Sequence, residues 1–280
     1  MAISGLLLRA HVSGVVAQRE LDALVRGLAG YAALAIALLV AGWILATDVS
    51  KVQANGLLVR DSAFQAPLLA AVLLLAVFLA ISAVVSVARE RERGTLEVVF
   101  YGPVDEPAYL AGKFVGQVMG YTLALPILIA SFLLLSVFTG FAFTHLLVLG
   151  SVASVIPAAE VIAFGLLLSV AAGRLRTAIL LFVGVVALFL GIAFAYNVVS
   201  AIPVESPASP ILPLRDALSA LDAIVDWLSP FSYLDRVLES IALGAWQTAA
   251  TSLLAGLGHV GVALGLASLL LRWRGVRPKG

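Results

Sequence analysis

The sequence predicts an all-α, polytopic integral membrane protein forming one transmembrane domain over residues 1–280, and three observations carry the prediction. Hydrophobic residues make up 62% of the chain and charged residues 12%, with a mean hydropathy of +1.11. That is too little polar side chain to cover a water-soluble globule of this size. Six apolar runs reach the ~20 residues that a helix needs to cross the hydrocarbon core. The runs are continuous, where a membrane barrel would alternate, so helices that satisfy their own backbone groups are favoured.

The six runs are Leu28 to Thr47, Pro67 to Ala88, Phe114 to Phe138, Leu146 to Ala172, Thr177 to Val199 and Ala249 to Leu271. Ahead of them, within residues 1–27, the apolar patch Ile3 to Leu8 is too short for a cleavable signal peptide, so the first span is the expected targeting signal. Ala17, Leu21, Leu24, Val25 and Leu28 then recur at helical spacing, opposed by Gln18, Arg19, Asp22 and Arg26. This is an amphipathic helix for the membrane interface, either a simple anchor or a surface on which a partner docks.

Orientation follows from Lys and Arg, which are retained on the cytoplasmic side. With the N-terminus inside, that side receives Arg9, Arg19, Arg26, Arg89, Arg91, Arg93, Lys113, Arg174, Arg176, Arg272, Arg274, Arg277 and Lys279, and the outside only Lys51, Arg60, Arg215 and Arg236. Thirteen against four predicts a multi-pass protein of the cell membrane with both termini cytoplasmic.

The cytoplasmic connection, residues 89–113, opens with five alternating charges from Arg89 to Arg93, which no lipid-facing helix accommodates. After Gly94, the stretch Thr95 to Tyr101 has the length of a two-turn helix and is stopped by Gly102-Pro103. If it leaves Leu96, Val99, Phe100 and Tyr101 exposed, a second protein is their natural cover. The charge run reads equally as a solvated topology signal.

The outer connection, residues 200–248, begins with Pro203, Pro207, Pro210 and Pro213, an extended linker-like stretch. Leu214, Leu218, Leu221, Val225 and Leu228 then repeat at helical spacing against Arg215, Asp216, Asp222 and Asp226, up to Pro230. A second amphipathic piece runs from Tyr233 to Trp246, with Trp227 and Trp246 as interfacial aromatics. These outer amphipathic helices lie on the outer leaflet or dip into it, and either cap an exit route or pack there as anchors.

Two ionisable residues fall mid-span: Glu160, shortly after the helix-perturbing Pro157, and His259. Such groups face a bundle interior or a water-filled path; a neutral Glu160 hydrogen-bonded to a neighbouring helix fits the sequence equally well. One acid and one histidine make neither a metal site nor a catalytic constellation. The absence of Cys excludes disulfides and thiolate-ligated metal, and a net charge of +1 gives no reason to expect nucleic acid.

From Glu90 to Lys113 the order of motifs resembles the permease family of type-2 ABC exporters: Glu90-Arg-Glu-Arg-Gly-Thr-Leu-Glu97, then Pro103, then Tyr109-Leu-Ala-Gly-Lys113. Ser229-Pro-Phe-Ser-Tyr233 before the last span is also similar to that family. The resemblance implies that Glu90, Arg91, Glu92, Arg93, Gly94, Thr95, Leu96, Glu97, Phe100 and Tyr101 form a coupling helix docking on an ABC ATPase subunit. It implies two copies of the chain, or this chain with a paralogous permease, working with two ATPase subunits. The sequence carries no Gly-x4-Gly-Lys-Ser/Thr phosphate loop, and Gly112-Lys113 lacks the upstream glycine and the following hydroxyl. ATP and Mg are therefore expected on the partner, with neither enzyme activity nor a cofactor in this chain. Two functions follow: a permease of an ATP-driven exporter, or a subunit that relays ATPase motion to an extracytoplasmic partner without moving a solute.

Overall fold

The structure is a computed structural model that describes residues 2–55, 63–101, 104–202 and 211–273. Outside the described residues lie Arg60, Gly102, Pro103, Pro203, Pro207, Pro210, Arg274, Arg277 and Lys279, and the side chains of residues 2–9, 52–55 and Glu97. The described residues contain helices and no strand. In chain order they are α1 (Ala2–Arg26), α2 (Leu28–Asn55), α3 (Gln65–Glu92), α4 (Thr95–Tyr101), α5 (Glu106–Thr139), α6 (His145–Ala153), α7 (Val155–Ala172), α8 (Leu175–Ser200), α9 (Ile211–Leu228), α10 (Pro230–Ala242) and α11 (Trp246–Trp273). Six candidate spans are long and apolar enough to cross a membrane: α2, α3, α5, the α6–α7 pair, α8 and α11. Each contains one of the apolar runs read from the sequence, and most extend past it. Thus α3 continues through the charged run to Glu92, and α5 begins at Glu106, so Lys113 lies inside a helix and not in a loop.

The centre of the bundle is α3 against α7. Lipid is as apolar as leucine, so helices in a membrane associate through close packing and hydrogen bonds, which small residues permit. Ala76, Ala80 and Ala83 of α3 are buried. A Cβ on Gly165 of α7 would sit 2.9 Å from the Ala80 carbonyl oxygen and 3.2 Å from its Cβ. One turn on, the Ser169 hydroxyl donates to the Val84 carbonyl at 2.7 Å. Gly165→Ala is expected to cost about 1–3 kcal/mol of overpacking strain and to lower the thermal unfolding midpoint in detergent. An unchanged midpoint would show that the two backbones do not approach this closely.

The fourth span, His145–Ala172, is disturbed near Pro157 as expected, and is divided there into two helices. It breaks at Ser154, between α6 and α7, because Pro157 has no N–H to offer the Ala153 carbonyl and its ring crowds that same group. Polar partners fill the break: the Ser154 hydroxyl lies 2.5 Å from the Ser151 carbonyl and 2.7 Å from the Tyr121 hydroxyl. At the far end of the bundle Phe64, Phe132 and Phe143 pack ring on ring, with centroids 5.5–5.9 Å apart. This cluster joins the start of α3 to the end of α5 and the approach to α6.

The connection from α8 to α11 departs from expectation in three ways. Helix begins at Ile211, so Pro213 occupies a first turn, where its missing N–H is tolerated, and is not part of an extended linker. Trp246 opens α11 and does not close α10. Most of all, α10 is folded in among the spans: Phe231, Tyr233, Leu234 and Leu238 are buried, and α10 packs on α6, α7 and α11. The Tyr233 ring meets His259 edge to face at 5.1 Å. His259 lies thirteen residues into α11, about 20 Å at 1.5 Å per residue. The α9–α10 hairpin therefore dips to about the middle of the bundle. Arg215 anchors its other limb to α8, donating to the carbonyls of Val199, Ser200 and Ile202 at and just past the helix end.

Candidate functional site

At the end of the bundle where α3 stops, Gly94 takes a left-handed φ of +68° and turns the chain into α4. The Thr95 hydroxyl donates back to the Glu90 carbonyl at 3.0 Å. Beyond α4, Asp105 caps α5 by accepting from the Ala108 N–H at 3.1 Å. The expectation that Leu96, Val99, Phe100 and Tyr101 are all exposed is corrected. Leu96 and Phe100 point inward and are 1% and 7% exposed, because Phe100 packs edge-on against the Tyr109 ring at 5.6 Å. Val99 is half-buried. The outward face of α4 is made by Val98 and Tyr101, 68% and 74% exposed.

Three of the five charges preceding α4, Glu90, Arg91 and Glu92, bond to neighbouring helices. The Glu90 carboxylate accepts from Lys113 at 2.8 Å, Arg19 at 2.5 Å and the Tyr109 hydroxyl at 2.6 Å. Arg91 donates to the Val170 carbonyl at 3.3 Å, and Glu92 accepts from the Leu175 N–H at 2.8 Å, capping α8. Arg93, Gly94 and Thr95 are exposed at the turn. Of the residues expected to couple, Glu90, Arg91 and Glu92 thus fasten helices together, and only the turn and α4 offer a surface.

Lys113 is the hub of that fastening. It is 1% exposed and donates to Glu20 at 2.6 Å, to Glu90 and to Ser86, while Ser86 donates to Glu20 at 3.0 Å. Sequence reasoning did not select Glu20 or Ser86. The signal was present: Glu20 falls three residues after Ala17 and four before Leu24, on the apolar side of α1, where an unpaired acid would be costly. Of the apolar stripe, Ala17 is buried against the bundle while Val25 and Leu28 are exposed, as an interface-facing side would be.

Three glycines of α5 let α1 approach this hub. A Cβ on Gly112 would sit 2.7 Å from the Ser13 carbonyl oxygen. One on Gly116 would sit 2.8 Å from that of Ala17 and 2.7 Å from the Glu20 Cβ, and one on Gly120 would sit 2.8 Å from Leu24. Their four-residue spacing puts all three on one face, the small-residue pattern of close helix packing in membranes.

Glu160 and His259 come together in the middle of the bundle, with Glu160 Oε1 3.0 Å from His259 Nδ1. Glu160 is buried; its second oxygen has no hydrogen-bond partner among the described residues and lies 3.2 Å from where a Gly256 Cβ would stand. Tyr233 covers the imidazole from the re-entrant hairpin. One turn beyond, Arg236 stacks over Tyr233 and Trp227 and is paired with Asp226. The pair spans α7 and α11, and His259 keeps an edge open, its side chain 38% exposed.

No curated protein matches the chain. A family model described as "ABC-2 family transporter protein" matches residues 15–274, from within α1 past the end of α11. With six candidate membrane helices and a match over nearly its whole length, the chain belongs to the ABC-2 family of transporter proteins.

Proposed function

We propose that this chain is the permease subunit of an ATP-driven exporter, with the α4 end and both termini in the cytoplasm. A separate ABC ATPase, holding ATP and Mg, docks on the outward face of α4. Two copies of the chain, or one copy and a paralogous permease, pair with two such ATPases. The observation that carries this reading is α4 itself: a short helix beyond the spans, seated by Leu96 and Phe100, with Val98 and Tyr101 presented outward. Exposed apolar and aromatic side chains on such a seat are what a protein interface covers. Because α3, α5 and α1 meet at Lys113 directly behind α4, a push on α4 reaches three helices at once and rocks them against the rest of the bundle.

Export is favoured over the relay to an outer protein by the burial of α10. The α10 half of the outer segment that motivates a relay is packed into the bundle, where it closes over a path between the spans instead of standing free for a partner. In this reading the Glu160–His259 pair is the polar step of the cargo path, closed over by Tyr233.

The test is the Val98→Glu, Tyr101→Glu double variant, co-expressed with its ATPase. The variant is expected to fold with an unchanged unfolding midpoint, yet to lose ATPase co-purification and the stimulation of hydrolysis by at least about tenfold, as for loss of an interface hot spot. Retention of both by the variant would remove α4 as the docking element.

A further inference from the structure

A row of three adjoining cavities lies between the α1–α2 elbow and α3 and α5, successive ones sharing Leu24, Gly30 and Phe78 or Ser86 and Arg89 in their walls. Its deep part is an apolar cavity of about 220 Å³ lined by Leu24, Leu34, Leu75, Phe78, Leu123 and Ile127. Past Phe78 and Gly30 the lining stays largely apolar but takes in Glu20, Ser82, Ser86, Gln117 and Arg89. The row opens at a basic mouth of about 360 Å³ between Arg19, Arg89, Arg93 and Thr95. From Leu75 to Arg89 along α3 is about 20 Å at 1.5 Å per residue. One leaflet contributes about 15 Å of the ~30 Å hydrocarbon core, so the row runs from head-group level to the depth of a lipid tail.

Two further observations point to an occupant. Glu20 and Glu90, the carboxylates beside these cavities, are held by Lys113 and Arg19, whereas Arg89 and Arg93 engage no carboxylate among the described residues. Four cations face two acids there, so the mouth carries a surplus of positive charge. Gln117, 1% exposed, donates to Ser82 at 3.4 Å, but its carbonyl oxygen is buried and has no partner among the described residues. An acceptor left so awaits a donor.

We propose that this row of cavities binds one anionic phospholipid. Its phosphate lies between Arg89 and Arg93, a head-group or glycerol hydroxyl donates to Gln117, and one acyl chain fills the cavity beneath Leu24. Guanidinium forks suit phosphate oxygens, and the apolar part has no polar demand that a tail would leave unmet. The mouth shares Arg93 and Thr95 with the turn beside α4, so the site is tested without the ATPase.

The experiment is native mass spectrometry of the purified chain exchanged into phosphatidylglycerol or phosphatidylcholine. One phosphatidylglycerol per chain is expected to survive activation that strips phosphatidylcholine. Arg89→Gln with Arg93→Gln changes only exposed side chains; it is expected to reduce the preference for phosphatidylglycerol by about 30-fold, the effect of two interfacial cations. Ala124→Phe, which fills the apolar cavity, is expected to abolish retention while the arginines remain. Equal retention of the two lipids, or an unchanged preference in the double arginine variant, would overturn the proposal. So would displacement of the lipid by millimolar inorganic phosphate, which would make this a site for the free anion.

Discussion

Lys113→Met is expected to be the most damaging single substitution at the charged end of the bundle. Methionine keeps an unbranched side chain of nearly the same length but leaves Glu20 and Glu90 facing each other with only the half-exposed Arg19 as their shared cation. Removing one member of a buried ionic group costs up to about 3–5 kcal/mol, because the remaining carboxylates stay desolvated with one cation for two charges. The unfolding midpoint should fall sharply, and α1 should become open to protease. Combining Lys113→Met with Glu20→Gln and Glu90→Gln should recover most of the loss, since the uncompensated charges are gone. A single variant as stable as the parent would mean that the ammonium is not the hub. Failure of the triple variant to recover would assign the loss to packing and not to charge.

Gly116→Leu is expected to come next in severity, by a different route. The Cβ alone would meet the Ala17 carbonyl oxygen at 2.8 Å and the Glu20 Cβ at 2.7 Å, and a helix backbone cannot yield as a flexible side-chain tip can. Overpacking of this kind costs about 1–3 kcal/mol where the neighbours can shift. Here the shift must also pull Glu20 from Lys113, so the charge penalty is added. Amide exchange across Val12–Leu24 should accelerate well beyond that in α3 or α7. Gly14, whose Cβ would meet nothing within 4 Å, is the control: Gly14→Ala should leave exchange in α1 unchanged or slower. Equal protection of α1 in the Gly116→Leu variant and the parent would refute the close approach.

Hydropathy alone exposed the spans, because a membrane helix must be apolar over a fixed length and this chain has few charges to blur the ends. The break at Ser154 was half visible: Pro157 marked a disturbed helix, but a proline disturbs the turn before it, and only packing shows whether a kink or a break results. Hydropathy marked the apolar stripe of α1 but not the face that seats on α5, because that seat is built on small residues and a charge and not on a stripe. The partner is an α5 face of glycines and one lysine, so Glu20 turns in while Val25 and Leu28 turn out. Leu96 and Phe100 were misread for a separate reason. A seven-residue helix has two faces, and which of them seats against Tyr109 depends on Gly94, a bend that composition does not orient. Glu160 and His259 stood out as ionisable residues in apolar runs 99 positions apart. Their contact, and the cover that Tyr233 gives it, required the fold of the hairpin.

The break at Ser154 also bears on how the bundle stores and releases motion. Nine residues of α6 lie beyond it, carried between the Phe143 aromatic cluster and the buried flank of α10. With no continuous run of backbone hydrogen bonds across the joint, twisting α7 about its axis need not twist α6. The far third of that span behaves as a swivelling cuff around the hairpin, so a torque arriving from the basic end can be spent at the joint and leave the aromatic collar at rest.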